Sequence, residues 1–492
     1  MIGNVNEVKR MNNKGYVTVF VTLMIVVMLV ITVAVMKITD ESGAKTKAVS
    51  AVSSAMSSEK ANYNRFIFDR YHILLLDKNA SGSGEGAMEQ GIEDCLKIDL
   101  GEGFSVNSVE LSGTKGILDN TCDEFKLQIK DNFKYQVVEY TVDNILKKTN
   151  GEDEPIDNET INEIDSDVNS AETEQDDGAE GNDEAGDEED SSLEITVEDP
   201  RDELKTYVLF GIPALILPDD APLSSNIVND AELPSAGRPK NSIDEIKTEF
   251  DDLDRMEIDS VKGHGWTTNL VTNAEAVMYS AECFNCLTDQ KYDDTYLNLE
   301  MEYIVGGDET DAKNYKKVVN EILLIRFGFN LAYILNDSQK MKKCETLATL
   351  LTIEFPGAKE PVKYLLAGCW SYIESIADVY RLLRNHKVPF VKSSETWVTD
   401  FHSLSNLESL EGEASDDETG LDYKEYLMIL IALQGNDMYY RMLDLMQMNV
   451  TQPELEGGDT TFRMKNAITA FGVNADIGYG SKEFNIHEET GY

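Results

Sequence analysis

The chain has 492 residues, of which 41% are hydrophobic and 8% aromatic, enough to bury a sizeable core in more than one domain. Its 91 acidic and 43 basic residues give a formal net charge of −48, which repels a phosphate backbone and argues against nucleic acid as a partner. Anionic lipid head groups are repelled by the same charge, so the bulk of the chain is expected to stand off a membrane surface.

From Tyr16 to Met36 the sequence reads YVTVFVTLMIVVMLVITVAVM, without a charge. At about 1.5 Å per residue this helix just spans a hydrocarbon core of roughly 30 Å. Thr18, Thr22 and Thr32 are tolerable there, because a helical threonine can bond a carbonyl in the preceding turn. A cleaved signal peptide competes with this reading, with Ser42-Gly43-Ala44 as a faint cleavage site, but its apolar region is usually shorter. A buried core helix and a pilin-type leader compete with it as well. Lys9, Arg10 and Lys14 precede the segment, and Lys37, Lys45 and Lys47 follow it, so positive charges alone leave the orientation tied. The short N-terminal flank and the long acidic remainder favour residues 1–15 in the cytoplasm. The predicted location is the cell membrane, single-pass, with lipid contact through residues 16–36 and the bulk of the chain outside the cell.

Residues 37–149 read as a helical stalk and a small α+β region. Lys37 to about Phe68 continues the helix. Ala44, Ala48, Ala51, Ala55, Ser58 and Asn62 recur on one face, as a plain stalk or as a packing seam inside an assembly. Tyr71–Leu76 and Phe104–Leu111 are strand candidates. Asp119 can cap a helix whose stripe is Phe125, Ile129, Phe133, Val137 and Tyr140. Residues 150–200 lose nearly all apolar and basic character and are expected to be an acidic disordered linker. Within them Asp165, Asp167 and Asn169 resemble the start of a calcium loop, but Ser170 and Asp176 stand where that loop needs glycine and glutamate.

Residues 201–480 read as a mainly helical ectodomain, and 481–492 as a C-terminal tail. Tyr207–Leu217 is too short and too interrupted by Gly211 and Pro213 for a second span, and reads as a buried core segment. Apolar stripes run through Tyr315, Val318, Ile322, Ile325 and Phe329, and through Leu366, Cys369, Ile373, Ile376, Tyr380 and Leu383. Asp422–Met448 supplies a third long helix. Period-two alternation predicts strands at Leu297–Val305 and Phe471–Tyr479. A second acidic loop covers about Glu411–Glu418. The fold class is therefore α+β, mainly α, with a small antiparallel sheet.

Six cysteines, Cys95, Cys122, Cys283, Cys286, Cys344 and Cys369, are too few for a disulfide-built scaffold and leave one or two bridges open. Cys283 and Cys286 form the single CxxC. It follows a helical pattern, and structural thiols, a disulfide and a redox or metal role all stay open. His72, His264, His386, His402 and His487 fall in no paired ligand motif, and there is no nucleophile elbow, P-loop or dinucleotide fingerprint. Trp266, Trp370 and Trp397 read as core; His264-Gly-Trp266 is a weak surface candidate. No catalytic, cofactor-binding or metal residue is assigned, and no cofactor is expected.

Lys14-Gly15 followed by YVTVFVTLMIVV resembles the N-termini of an uncharacterised family of single-pass, pseudopilin-like proteins of Gram-positive anaerobes, associated with tight-adherence (Tad or Flp-type) pilus machinery. EKANYNRFIFDRYHILLLD, LILPDD at Leu215–Asp220, LPS at Leu233–Ser235, LNLEMEYIVGG, NEILLIRFGFNLAYILND, HKVPFVKSSETW and LDYKEYLMILIAL extend the resemblance over nearly the whole chain except the acidic linker. The resemblance implies a non-enzymatic structural or assembly component of a pilus or related surface secretion system, with protein partners in that assembly. A membrane-anchored ligand-binding protein, adhesin or enzyme is the alternative. Pilins carry a glutamate at the fifth position after the processed glycine; counted from Gly15 that position is Phe20, which favours an anchor that stays in the membrane.

Overall fold

A computed structural model describes residues 14–79, 85–133, 145–148, 211–229, 231–236, 238, 273–353, 355–400, 420–453 and 457–492. Residues 1–13, the acidic segment with its calcium-like run, Val137 and Tyr140, His264 and Trp266, and the acidic loop with His402 lie outside them. In chain order the elements used below are α1 (Lys14–Lys60), α2 (Arg65–Tyr71), β1 (Leu76–Asp77), α3 (Glu85–Leu100), β2 (Phe104–Gly116), α4 (Asp119–Phe133), α5 (Ile212–Ile216), α6 (Ala274–Cys283), α7 (Glu300–Gly306), α8 (Asp311–Asn336), α9 (Ser338–Leu351), α10 (Lys359–Leu382), α11 (Tyr423–Leu433), α12 (Asp437–Val450), β3 (Ala467–Tyr479) and β4 (Lys482–Gly491). The fold is mainly helical with one small antiparallel sheet, and it divides into two compact units.

Unit 1 takes residues 1–64, 74–117 and 466–492. Its centre is β3, an almost continuously buried strand. β2 pairs antiparallel along one side of it, from Phe104 opposite Tyr479 to Gly116 opposite Ile468. The other side is taken by β4, from Ala470 opposite Gly491 to Tyr479 opposite Lys482, and by the two residues of β1. Phe471, Val473, Ala475 and Ile477 share one apolar cluster with Ala48, Ala51, Val52, Ala55 and Met56 of α1 and with Met88, Ile92 and Leu96 of α3. The alanine face of α1 is thus used inside the chain, where small side chains let helix and sheet approach closely. Lys47 of α1 donates to the Leu100 carbonyl at the end of α3, at 2.7 Å, where the exposed carbonyls favour a cation. Both outer strands are guarded against edge pairing. β2 is interrupted by register shifts at Val106/Ser108 and Ser112/Lys115, and β4 carries Glu483, Glu488 and Glu489.

Unit 2 takes residues 65–73 and 118–465. Its helices begin where capping residues stand. Thr310 caps α8, and Asp337 caps α9 by accepting from Gln339 and Lys340. Asp422 and Glu425 form a reciprocal capping box at α11. α9 and α10 close over Cys344, Ala348, Leu366, Ala367 and Trp370, joined by Ile334 of α8 and by Trp397.

Five expectations are corrected. Leu297–Val305 is not a strand: Glu300–Gly306 forms α7, with every residue buried. Its alternation does not mark two faces, because Glu300 and Glu302, the polar phase, are buried and hydrogen-bonded too. The helix expected over Asp422–Met448 is broken into α11 and α12 at Gly435, which takes φ +57. The stalk helix stops at Lys60 instead of reaching Phe68. Tyr71–Leu76 gives strand only at Leu76, because Tyr71 still belongs to α2 and His72 turns the chain with φ 56. Residues 482–491, expected as a tail, are β4; only Ile486 of that strand is buried, so its apolar signal is faint.

Overpacking tests the α1 seam. Ala48→Leu is expected to lower unfolding stability by about 1–3 kcal/mol, whereas Ser53→Leu on the exposed face should stay within about 0.5 kcal/mol of the parent. Equal denaturant midpoints for the two variants would show that the seam is not a packed contact.

Candidate functional site

Two features stand out chemically: the apolar half of α1, and a set of charged side chains buried in unit 2. Tyr16–Lys60 is long and apolar enough to cross a membrane, and none of its most apolar stretch is buried. Thr22 and Thr32 return their hydroxyls to the carbonyls of Val19 at 2.9 Å and Met28 at 2.8 Å, so neither leaves a free donor facing outward. Asp311–Asn336 passes the same length and composition test, but half of its apolar window is buried, as suits a core helix.

The charged set starts from a local problem. Residues 388–399 have little regular structure yet bury Val388, Pro389, Phe390, Lys392, Trp397 and Thr399, so the backbone groups there need partners from elsewhere. Arg326 of α8 donates to the carbonyls of Pro389 and Phe390, both at 2.9 Å. Glu374 of α10 accepts from the amides of Val398 at 3.1 Å and Thr399 at 2.8 Å, and from the Thr399 hydroxyl at 2.7 Å. Lys392, from the irregular segment itself, reaches Glu374 at 2.6 Å and Asp378 at 2.7 Å. Arg326 completes the quartet against Asp378 at 2.8 Å, with Asn330 and Tyr426 filling remaining positions. Two cations thus face two anions, all almost fully buried. Burial pushes the Asp378 carboxyl up, but Arg326 and Lys392 outweigh it and hold the group below the usual carboxylate range.

A second group of acids makes no ion pair among the described residues and serves backbone amides. Glu300 accepts from the Asn285 amide at 2.8 Å and the Asn449 side chain at 2.6 Å. Glu302 accepts from the Leu287 amide at 2.9 Å and the Tyr423 hydroxyl at 3.0 Å. Asp311 takes the amides of Ser224 at 2.8 Å and Asn298 at 3.0 Å. Asp444 takes the Ser235 amide and the Tyr303 hydroxyl, each at 2.9 Å. Arg441 does the converse, donating to the carbonyls of Ile304 and Val305, both at 2.7 Å. It crosses over Gly307, where a Cβ would lie 2.8 Å from its Nε and where φ is +64. Burial pushes Glu300 and Glu302 up to about 7 and Asp444 to about 6. Glu321 is also buried and pushed to about 7, and neither of its oxygens has a hydrogen-bond partner among the described residues.

Cys283 is the last residue of α6, and Cys286 follows in a tight turn closed against Asp289. Both are free and buried, and burial pushes both thiols up to about 12. A reactive thiol needs the opposite shift, so the geometry favours the structural reading over redox chemistry. Among the described residues no three His, Cys, Asp or Glu side chains are placed to hold a metal ion. Trp370 and Trp397 are core, both donating to the Thr399 carbonyl at 3.1 Å.

A model of a family of unknown function (DUF5702) matches residues 190–479. The chain belongs to that family. The match ends at Tyr479, the last residue of β3, and takes in all of the charged set described above. No curated protein and no solved structure matches the chain. The sequence patterns cover the segments that hold Glu300, Arg326, Lys392 and Tyr426 but do not single out these residues. The signal that could have found them is charge inside otherwise apolar helical stripes, as with Arg326 between Ile325 and Phe327.

Two variants separate the two kinds of buried charge. Lys392→Met leaves Glu374 and Asp378 under-compensated and is expected to cost about 3–5 kcal/mol in denaturant unfolding. Glu321 behaves oppositely. Its folded form holds a proton that the unfolded chain releases above about 4.5, so its contribution to stability is full below that pH and is lost as pH rises through about 7. Glu321→Gln should therefore be more stable than the parent at pH 8, by up to about 3 kcal/mol, and indistinguishable from it near pH 4. A parent advantage at pH 8 would mean that Glu321 is ionised and compensated in the folded protein.

Proposed function

We propose that the chain is a non-enzymatic, membrane-anchored structural or assembly component of a Tad/Flp-type pilus or related surface secretion system. The observation that carries the reading is the build of α1: one unbroken helix, Lys14–Lys60, whose first half is apolar and exposed and whose second half turns an alanine face onto a small antiparallel sheet. This layout suits a pseudopilin-like role, in which a lipid-embedded helix presents a compact head. The sequence resemblance of the N-terminus and of the later segments points the same way. With Phe20 in place of the pilin glutamate, α1 acts as a permanent anchor rather than as a processed filament core. The N-terminus lies inside the cell and the bulk of the chain outside. The buried charges belong to the architecture of the head and perform no catalysis.

A chromosomal deletion complemented with variants tests this. The deletion strain is expected to lose surface pili and adhesion, and the parent gene to restore both. Val26→Lys at the midpoint of the apolar half costs about 2.5–3.5 kcal/mol of insertion, and should move the protein out of the membrane fraction and fail to restore pili. Normal piliation and adhesion in the deletion strain would refute the proposal.

A further inference from the structure

Almost no free helix separates the apolar half of α1 from the part that packs in unit 1. Met36 and Ile38 are both 67% exposed. Asp40 then accepts from the Tyr479 hydroxyl at 3.2 Å, Glu41 faces Lys482 at 3.5 Å, and Ala44 is already buried. Asp40 and Glu41 lie only about 6–8 Å beyond Met36 along the helix axis. The course of β4 shows which end of the sheet comes nearest to the apolar half. Tyr479 and Lys482 are paired across the turn between β3 and β4, where Gly480 takes φ +59 and Gly480, Ser481 and Lys482 are exposed. At the other end of β4 the Lys60 ammonium donates to the Gly491 carbonyl, and the Tyr492 hydroxyl donates to the Lys60 carbonyl. Between these two ties β4 rises by roughly 30 Å, and α1 from Glu41 to Lys60 by about 29 Å. Strand and helix therefore run side by side in the same direction. β2 begins at the same end as the turn, with Phe104 opposite Tyr479.

The charge at this end of unit 1 differs from that of the chain. Residues 37–47, 97–104 and 479–483 hold five lysines and five acids, in a chain whose net charge is −48. Lys47 ties the three segments together: it donates to the Leu100 carbonyl at 2.7 Å and lies over the Phe104 ring, which packs on Tyr479. A balanced rim is not driven from a lipid surface as a strongly acidic one is. A head-group layer is about 5–8 Å deep on each side of the hydrocarbon, which matches the distance from Met36 to Asp40 and Glu41. Lysine and tyrosine are the side chains that suit such a layer, since each joins an apolar body to a polar tip. We propose that the β3–β4 turn of unit 1 rests in the phospholipid head-group layer of the membrane that holds α1, with Lys482 at the level of the lipid phosphates. The sheet then stands upright on the membrane instead of being carried away from it on a stalk. Every residue in this contact belongs to unit 1. The inference rests on α1 as a membrane anchor and not on the pilus assignment.

The test uses the full chain in phosphatidylcholine nanodiscs, with and without lipids that carry a nitroxide on the head group. Ser481→Trp places a reporter at the turn, and Glu489→Trp places one roughly 26 Å further along β4. Nitroxide quenching in excess of the parent reads the added tryptophan apart from the three native ones. That excess is expected to be at least about twofold larger for Ser481→Trp than for Glu489→Trp, because the second reporter stands several layer depths from the head groups. Glu483→Trp, beside the turn, should repeat the Ser481→Trp result, and takes its place if circular dichroism shows that Ser481→Trp does not fold. An equal excess at the two ends of β4, or a larger one for Glu489→Trp, overturns the proposal. Shielding of the turn reporter from acrylamide without nitroxide quenching overturns it in favour of cover by protein. Co-elution with the discs reports α1 separately. A chain that does not co-elute overturns the anchor and this inference together, whereas a co-eluting chain with equal excesses overturns this inference alone.

Discussion

Buried backbone without regular secondary structure must still be hydrogen-bonded, and unit 2 depends on that constraint more than on any other. Residues 284–299 and 388–399 are partly buried outside long helices, and among the described residues no named strand pairs with them. Their amides and carbonyls are met by side chains on helices: Glu300, Glu302 and Asp311 for the first segment, Arg326 and Glu374 for the second. A carboxylate suits this work because its two oxygens can take several N–H groups at once. The guanidinium of Arg326 suits it equally, as a fixed fork of donors that spans two adjacent carbonyls and an acid.

The same constraint accounts for two electrostatic regimes within one unit. Where irregular backbone brings in a cation of its own, as with Lys392, Asp378 is held low. Where it offers only amides, burial dominates and Glu300 and Glu302 are pushed towards neutrality. Surface charge and buried charge are then separate matters. The large negative balance concerns solubility and partners, while the buried set concerns which conformation the chain adopts. The CxxC belongs with the second matter. Its Asn285 amide and the Leu287 amide beside it are anchored by Glu300 and Glu302, which fixes the turn.

The exposed apolar half of α1 was legible because a long run without charge is a strong signal. β3 was legible from strict alternation, β2 more weakly, and α8 and α10 from their stripes. Leu297–Val305 misled because alternation reports two faces only when the polar phase meets water, and here Glu300 and Glu302 meet buried amides instead. The break at Gly435 was hidden because α11 and α12 are both largely buried, so no change of periodicity marks it. β4 was missed because it sits on an edge with one buried side chain. The pairing of β2 with β3 could not be read at all, since register across hundreds of residues leaves no periodic trace. Nor could the buried quartet, because a charged residue in an apolar stripe shows its burial only once its partner is placed.

β2 and β3 are neighbours in the sheet, yet about 350 residues, Ile117 to Asn466, lie between them in sequence. Synthesis at roughly 5–20 residues per second separates their emergence by tens of seconds. Throughout that interval the alanine face of α1, α3 and β2 has no central strand to cover it, and closing so long a loop is slow. Residues 467–492 therefore decide whether the alanine face of α1, α3 and β2 acquire their common core. A polypeptide cut short anywhere before β3 keeps a helix fit for the membrane but exposes an uncovered apolar seam, a clear mark for proteolytic removal.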